Sequence, residues 1–471
     1  MFITTNLGSI AARGIPVCLW AIGAACLLAG CASPFDHLQS QLRSEHEAGQ
    51  FVAAAKTLDE PASKETFGDR NQLLWMLDRG GVGLAINDMP TTIRVLEDAE
   101  QRIDAQRALR PSEQAAQWVL NDTVVPYVAP PYEDVYVNVF KLMAQLELGR
   151  VDGGATVEAR RMANKSNLLR DRYLREEQAL KEQAEQGYAA AERAGVATRY
   201  ATPTGGEFIE SPLGTYLAAI TFMKTGDREF QRVAGKRLLQ AMEAQPKLFP
   251  DVNRNAFANV GDLDPSAGNV LMVALTGCGP YLEAERVGPI AIFSLPVYFE
   301  LPRMKQRGSR VVAARIEVQD QSGTVRDGGP LELVENIGSV AEENFRRELP
   351  LIYQRTMVRY LVKAGATVGA SEVVAQTQQD NNTQWLLRSL GGLIGLAVLG
   401  ATERADLRYW EFLPAKAFVG LAKLPPGAFR VRTVYLGVGN VLLGTSAWRE
   451  VSIPPGPAAG QLATVVQTTA Q

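Results

Sequence analysis

From about residue 50 to Pro246 the apolar positions recur at helical spacing, in paired segments separated by Gly, Pro or Asp. One pair runs from Leu77-x2-Gly80-Gly81-x2-Leu84, through a turn at Asn87-Asp88, to Thr92-x3-Leu96-x2-Ala99. A second, from Tyr132 to about Ala163, turns at Gly149-Arg150. A third joins a helix from about Leu213 to Met223, closed by Gly226-Asp227, to Ala234-x3-Leu238-x2-Ala241-x4-Pro246. That last spacing places small and apolar side chains on one face and stops the helix with proline, the second-helix pattern of a tetratricopeptide (TPR) repeat. The pattern predicts a TPR-like helical-hairpin array over residues 51–250, although an unrelated helical bundle would use the same core positions. Between Asn167 and Gly195 a charge-dense helix is expected, with one narrow stripe of Leu169, Tyr173, Leu180, Ala184 and Tyr188. It would lie solvated along its own domain or pack on a partner. Residues 196–210 read as a loop.

After Pro250 the period changes. Asn269–Thr276 and Pro289–Phe299 are continuous apolar runs with strand character, and Val312, Ala314, Ile316 and Val318 alternate with polar residues as in a half-buried strand. Gln321-Ser322-Gly323 predicts a hairpin turn. Helix is expected from about Ser339 to Lys363, broken at Pro350. Phe429, Val431, Thr433 and Tyr435 form another strand after the Pro425-Pro426-Gly427 turn. Strands interrupted by helices predict an α+β domain with a mainly antiparallel sheet over 251–453. Residues 454–471, rich in Pro, Gly, Ala, Thr and Gln, read as a disordered tail. Ser389–Thr402 is uncharged, with glycines near small-xxx-small spacing. At fourteen residues it is shorter than the roughly twenty that cross a bilayer. Close packing of a buried helix explains its glycines, with membrane insertion as the alternative.

The first fifty residues change the picture most. Arg13 is the single charge among residues 1–30, Ile15–Leu28 is a short apolar stretch, and Leu28-Ala29-Gly30 precede Cys31. This is the anatomy of a lipobox: a signal peptide over 1–30, then a cysteine that is acylated and becomes N-terminal, with 31–50 as lipidated cysteine and tether. Each buried methylene adds about 0.8 kcal/mol, so two or more chains anchor stably. The alternatives are cleavage elsewhere or a single anchor helix. Ala32 and Ser33 lack the aspartate that retains such proteins at the inner membrane, which by resemblance to that sorting rule places the chain on the outer membrane, facing the periplasm.

Losing residues 1–30 leaves 47 basic and 51 acidic side chains, a near-balance that argues against a nucleic-acid partner. Of four cysteines, Cys18 and Cys26 leave with the signal and Cys31 is acylated, so Cys278 stands alone and no internal disulfide can form. The histidines, His37 and His46, both fall in the presumptive tether, so no Ser-His-Asp or Cys-His arrangement and no Cys/His metal site is expected in the folded body. No phosphate-binding loop is present, since Gly235-Lys236-Arg237 sits inside a helix. Asp264-Pro265-Ser266-Ala267-Gly268 reads as a loop, and the lone Gly437-Val438-Gly439 carries no weight. Glu283/Glu285 and Glu342-Glu343 have the look of ordinary exposed carboxylates. Cys278, between two glycines, reads as structural. No cofactor is implied.

The order of these features resembles a family of TPR-like bacterial outer-membrane lipoproteins. The resemblance rests on Pro131-Tyr132-Glu133 with Asn138, on Val157-Glu158-Ala159-Arg160-Arg161, on Ser294-Leu295-Pro296-Val297-Tyr298, and on Ala405-Asp406-Leu407-Arg408-Tyr409-Trp410 with Leu413-Pro414. It covers most of the mature chain and implies a place near lipoproteins that resemble penicillin-binding-protein activators, with no catalytic residues to carry over. Read physically, Tyr132, Tyr136 and Phe140 share one helix face, and Trp410 and Phe412 alternate as at a strand end closed by Leu413-Pro414. The expected function is a non-enzymatic, outer-membrane-anchored scaffold for an envelope protein partner in cell-envelope or cell-wall assembly. The alternative is a module in the α+β domain that binds or hydrolyses peptidoglycan or polysaccharide. A third reading has 389–402 inserting into the membrane as part of an export assembly.

Overall fold

The computed structural model describes residues 33–107, 125–165, 208, 210–292, 295–350, 352–353, 356, 404–457 and 460–471, and every absence stated below concerns those residues. The lipobox residues Leu28, Ala29, Gly30 and Cys31, the charged helix expected over 167–195 and the uncharged stretch 389–402 lie outside them.

Helices come first: α1 (Pro34–Glu47), α2 (Phe51–Asp59), α3 (Pro61–Phe67), α4 (Gln72–Ala85), α5 (Met89–Arg107), α6 (Pro131–Glu147), α7 (156–165), α8 (Pro212–Thr225) and α9 (Arg228–Ala244). The tether expected over 31–50 is corrected: it is largely α1. Ser33 and Asp36 form a reciprocal capping box, with Ser33 Oγ accepting the Asp36 N–H at 3.1 Å and the Asp36 carboxylate accepting the Ser33 N–H at 2.9 Å. Leu38, Leu42 and His46, four residues apart on one face, are buried.

The three expected hairpins form as packed pairs. In α4 the glycines that weaken a helix are contact points. A Cβ on Gly80 would lie 2.4 Å from Leu96 Cδ2, one on Gly83 2.5 Å from Thr92 Oγ1, and one on Gly81 2.9 Å from Phe412 Cβ. Gly80 and Gly83 therefore admit α5, and Gly81 admits the chain before the last strands. Asn87 takes the left-handed conformation (φ 66°) in the turn between α4 and α5. Gly226 (φ 78°) closes α8, and Asp227 caps α9. Ala234, Leu238 and Ala241 are buried on one face of α9.

The strands are β1 (Val270–Thr276), β2 (Tyr281–Ile292), β3 (Leu295–Lys305), β4 (Ala313–Gln319), β5 (Val325–Asn336), β6 (Lys416–Ala422), β7 (Gly427–Leu436), β8 (Leu442–Thr445), β9 (Arg449–Ile453) and β10 (Ala463–Thr469), with a helix, α10 (337–350), between β5 and β6. The main sheet has the order β10-β1-β6-β5-β4-β7-β8, with β9 also on β7. Only β1 with β10 is parallel. The architecture is α+β. The apolar run expected over 289–299 is not one strand: β2 and β3 form a separate two-stranded hairpin whose ends meet within it. Residues 404–415 hold no strand; Trp410 and Phe412 are buried in irregular chain, and the strand begins at Lys416. The expectation of a disordered tail is likewise corrected, because β10 pairs with β1 over seven residues and buries Val465 and Val466.

Along β1, Leu271, Val273 and Leu275 join the core of the helices, whereas Val270, Met272 and Ala274 face the other way, into a second core with Ile316, Val318, Phe418, Val431 and Tyr435. Its unbroken apolar sequence follows from cover on both faces. The sheet curls around this second core until β7 meets β10, where the Thr433 N–H and hydroxyl donate to Gln467 Oε1 at 2.9 and 2.6 Å. All the strands follow residue 250, together with α10, but the first core is continuous across that point.

Candidate functional site

α6 is the axis of the molecule. Every residue from Tyr132 to Leu146 is buried, including Glu133, Asp134, Asn138 and Lys141. Helices of this kind must satisfy their polar groups internally. Glu133 accepts the Tyr127 hydroxyl at 2.8 Å and the Trp410 N–H at 3.3 Å. Tyr136 donates to Glu335 of β5 at 2.8 Å; Glu335 also accepts Ser211 Oγ at 2.6 Å and the Leu213 N–H at 2.9 Å. Glu147 accepts Arg449 and the Val466 N–H of β10. Asn138 donates to Glu100 and Glu158. Phe140 packs on Trp410 with ring centroids 5.1 Å apart. Two of the stretches quoted for the family resemblance, around Tyr132–Asn138 and Trp410, thus meet at a buried seam between helices and sheet, and Glu158 of a third reaches it through Asn138. The fourth, around Ser294–Tyr298, belongs to the β2–β3 hairpin, where Arg286 covers the Tyr298 ring.

A second cluster lies where α1 meets residues 404–415. His46 Nδ1 is 3.1 Å from Glu411 Oε1, and Arg307 and the Tyr409 hydroxyl also donate to Glu411. Asp78 accepts the Glu411 N–H at 2.8 Å. Burial resists ionisation of Glu411, but Arg307, His46 and Tyr409 outweigh it and hold the carboxyl below its usual range. Burial pulls the His46 imidazole below its usual range, against the Glu411 carboxylate that would raise it. An imidazole oriented by a carboxylate has the form of a general base. Here, however, the two side chains are 2% and 1% exposed, and the Phe51 and Phe412 rings flank the imidazole. The pair latches α1 to the body. His46 therefore belongs to the folded body and not to a tether. The Ser33-x2-Asp36 box and the four-residue spacing of Leu38, Leu42 and His46 were the signals for it.

Burial lifts the carboxyls of Glu133, Glu147 and Glu335 to about 7, against the hydrogen bonds they accept. Such a group binds more protons folded than unfolded between pH 4.5 and 7, so its contribution to stability falls as pH rises through that window. His46, lowered from its usual 6.5, works in the opposite sense as pH falls below that value. We expect Glu335→Gln to shrink the loss of stability between pH 5 and pH 7.5 by on the order of 2 kcal/mol. Urea titrations at the two pH values measure it, and an unchanged loss would show that Glu335 is ionised throughout.

The other sequence candidates resolve as follows. Cys278 is buried, and burial pushes its thiol up to about 11, far from a reactive thiolate. Glu283 and Glu285 pair across the hairpin with Lys305 and Arg303, and Glu342 and Glu343 pair with Arg346. Asp264 caps a short turn through the Ser266 N–H. Gly437-Val438-Gly439 lies in the β7–β8 turn, and Gly235-Lys236-Arg237 lies within α9. Among the described residues no group of three or more His, Cys, Asp and Glu is placed to hold a metal, and no helix is long and apolar enough to cross a membrane.

A groove of about 210 Å³ opens to solvent between α7, α8 and α9. Met162, Ala218, Phe222, Phe230 and Val233 line it, with Arg160 and the Glu210–Arg237 pair (2.7 Å) at its margins. Phe230 and Val233 are 44% and 48% exposed, large apolar side chains left in water on a helical hairpin. The Phe222 and Phe230 rings stack at 5.3 Å, and the Arg160 guanidinium lies 5.1 Å from the Phe230 centroid. The groove offers apolar contact and no acid–base pair. Sequence reasoning named Ala234 and Leu238 as the buried face of α9 but did not find the groove, in which Ala234 is flanked on the same helix by the exposed Phe230 and Val233. No known family, curated protein or solved structure matches the chain.

Proposed function

We propose that this protein is an outer-membrane-anchored periplasmic lipoprotein. It acts as a non-enzymatic interaction scaffold in cell-envelope or cell-wall assembly, its hairpins forming a TPR-like array that presents the α7–α9 groove to a protein partner. The carrying observation is that groove, with Phe230 and Val233 exposed above an apolar floor. The lipobox ending at Cys31 supports the anchor, and the interlocked small residues Gly80 and Gly83 support hairpins of the repeat kind. Helical repeats bind through extended surfaces of this sort.

The test is crosslinking in intact cells followed by affinity purification, comparing wild type, Cys31→Ser and Val233→Glu. We expect one envelope protein to be enriched with wild type and its yield to fall at least tenfold with either variant. Val233 is half exposed, so the glutamate should alter stability by no more than about 0.5 kcal/mol. Equal recovery with Val233→Glu would remove the groove from the proposal. Glycan fragments in place of a protein would turn attention to a carbohydrate-binding role for the sheet.

A further inference from the structure

We infer that the acylated chain is held flush against the lipid headgroups by its α1–α3 end, so that its partners must present themselves at the surface of the same bilayer. The inference rests on the anchor at Cys31 proposed above. Ser33 is already the cap of α1. Consecutive Cα atoms are 3.80 Å apart, so the Cα of Cys31 lies within about 8 Å of that of Ser33. A flexible linker of twenty residues would instead give a reach of about 25 Å.

Nor can α1 serve as a swinging arm. Leu42 is buried, Arg43 donates to the Tyr409 hydroxyl at 2.9 Å, Gln39 to the Leu407 carbonyl at 3.3 Å, and His46 meets Glu411. The direction of α1 is therefore fixed with respect to both cores. Phe35 packs edge-on to Phe67 at 5.4 Å, which brings α3 beside the anchored end. The other end of α1 lies about 20 Å along its axis. There a Cβ on Gly49 would lie 3.8 Å from the Ala470 Cβ, and one on Gly444, next to the turn that carries Val441, would lie 3.6 Å from the Gln471 amide. The molecule thus has a headgroup end at α3 and an outward end at the β7–β8 turn.

The test uses the acylated full-length protein in phosphatidylethanolamine–phosphatidylglycerol vesicles containing a headgroup-spin-labelled lipid. A fluorophore is placed at Glu65→Cys or at Val441→Cys, both exposed; Cys278, being buried, does not compete for the label. We expect quenching at position 65 to exceed that at 441 at least threefold, and a ten-residue Gly/Ser insertion between Ala32 and Ser33 to abolish the difference. Equal quenching without the insertion, or a difference that survives it, overturns the inference. The anchor is checked separately: absence of the acyl mass, or flotation retained by Cys31→Ser, overturns the anchor and this inference with it.

Discussion

Lys141→Met is expected to lower the stability of the protein by about 3–5 kcal/mol, measured by chemical denaturation near neutral pH. Lys141 is fully buried in the middle of α6, and its ammonium bonds to Glu97, to Glu100 at 2.7 Å and to Glu158 at 3.2 Å. Burial alone would depress a lysine; the three carboxylates reverse this and raise it. Methionine keeps the volume and removes the charge, leaving Glu100 and Glu158 buried with the Asn138 amide, Lys165 and Arg161 as their remaining partners. The pH dependence separates charge from packing. Despite burial, Lys165 and Lys141 pull Glu100 down to about 2. Its contribution is fully present above pH 4.5 and lost as pH falls towards 2. The gap between wild type and Lys141→Met should therefore narrow across that acid window. A loss below 1 kcal/mol at neutral pH would show that the lysine compensates nothing.

Deleting residues 462–471 is expected to prevent folding, seen as loss of the cooperative transition and of near-ultraviolet circular dichroism. The deletion strips β1 of its parallel partner, opens both cores at Val465 and Val466, and removes the Val466 N–H from Glu147 and the Gln467 bonds that close the curled sheet. Burial of an apolar side chain contributes about 1.5–3 kcal/mol, and several are lost here. Against a net stability of only about 5–15 kcal/mol, such a loss is not absorbed. A shortened chain that melts like wild type would mean that β10 is dispensable.

That deletion also marks where sequence reading stopped. The hairpins were legible because their signals are local: Asn87-Asp88, Gly149-Arg150 and Gly226-Asp227 terminate helices by their own backbone preferences. The alternation in Val312–Val318 identified β4 for the same reason. β10 was not legible, because Ala463–Thr469 becomes a strand only by pairing with Val270–Thr276, far away in the sequence. His46 was missed through a similar bias, its polar neighbours suggesting a tether although its partner is Glu411. The groove depends on how three helices pack, which no single helical pattern records. The carboxylates of the seam, Glu133 and Glu335 among them, look in sequence like any surface glutamate; only burial distinguishes them.

The latch between His46 and Glu411 joins residues 365 positions apart. Contacts so distant in sequence must await closure of a very long loop, and folding slows as they accumulate. The first helix packs early on its neighbours through Phe35 and Phe67, but gains the contacts of Gln39 and His46 only when residues 407–411 are in place, and β1 lacks its parallel partner until Ala463–Thr469 pairs with it. With this wiring the helices and the sheet depend on each other for completion.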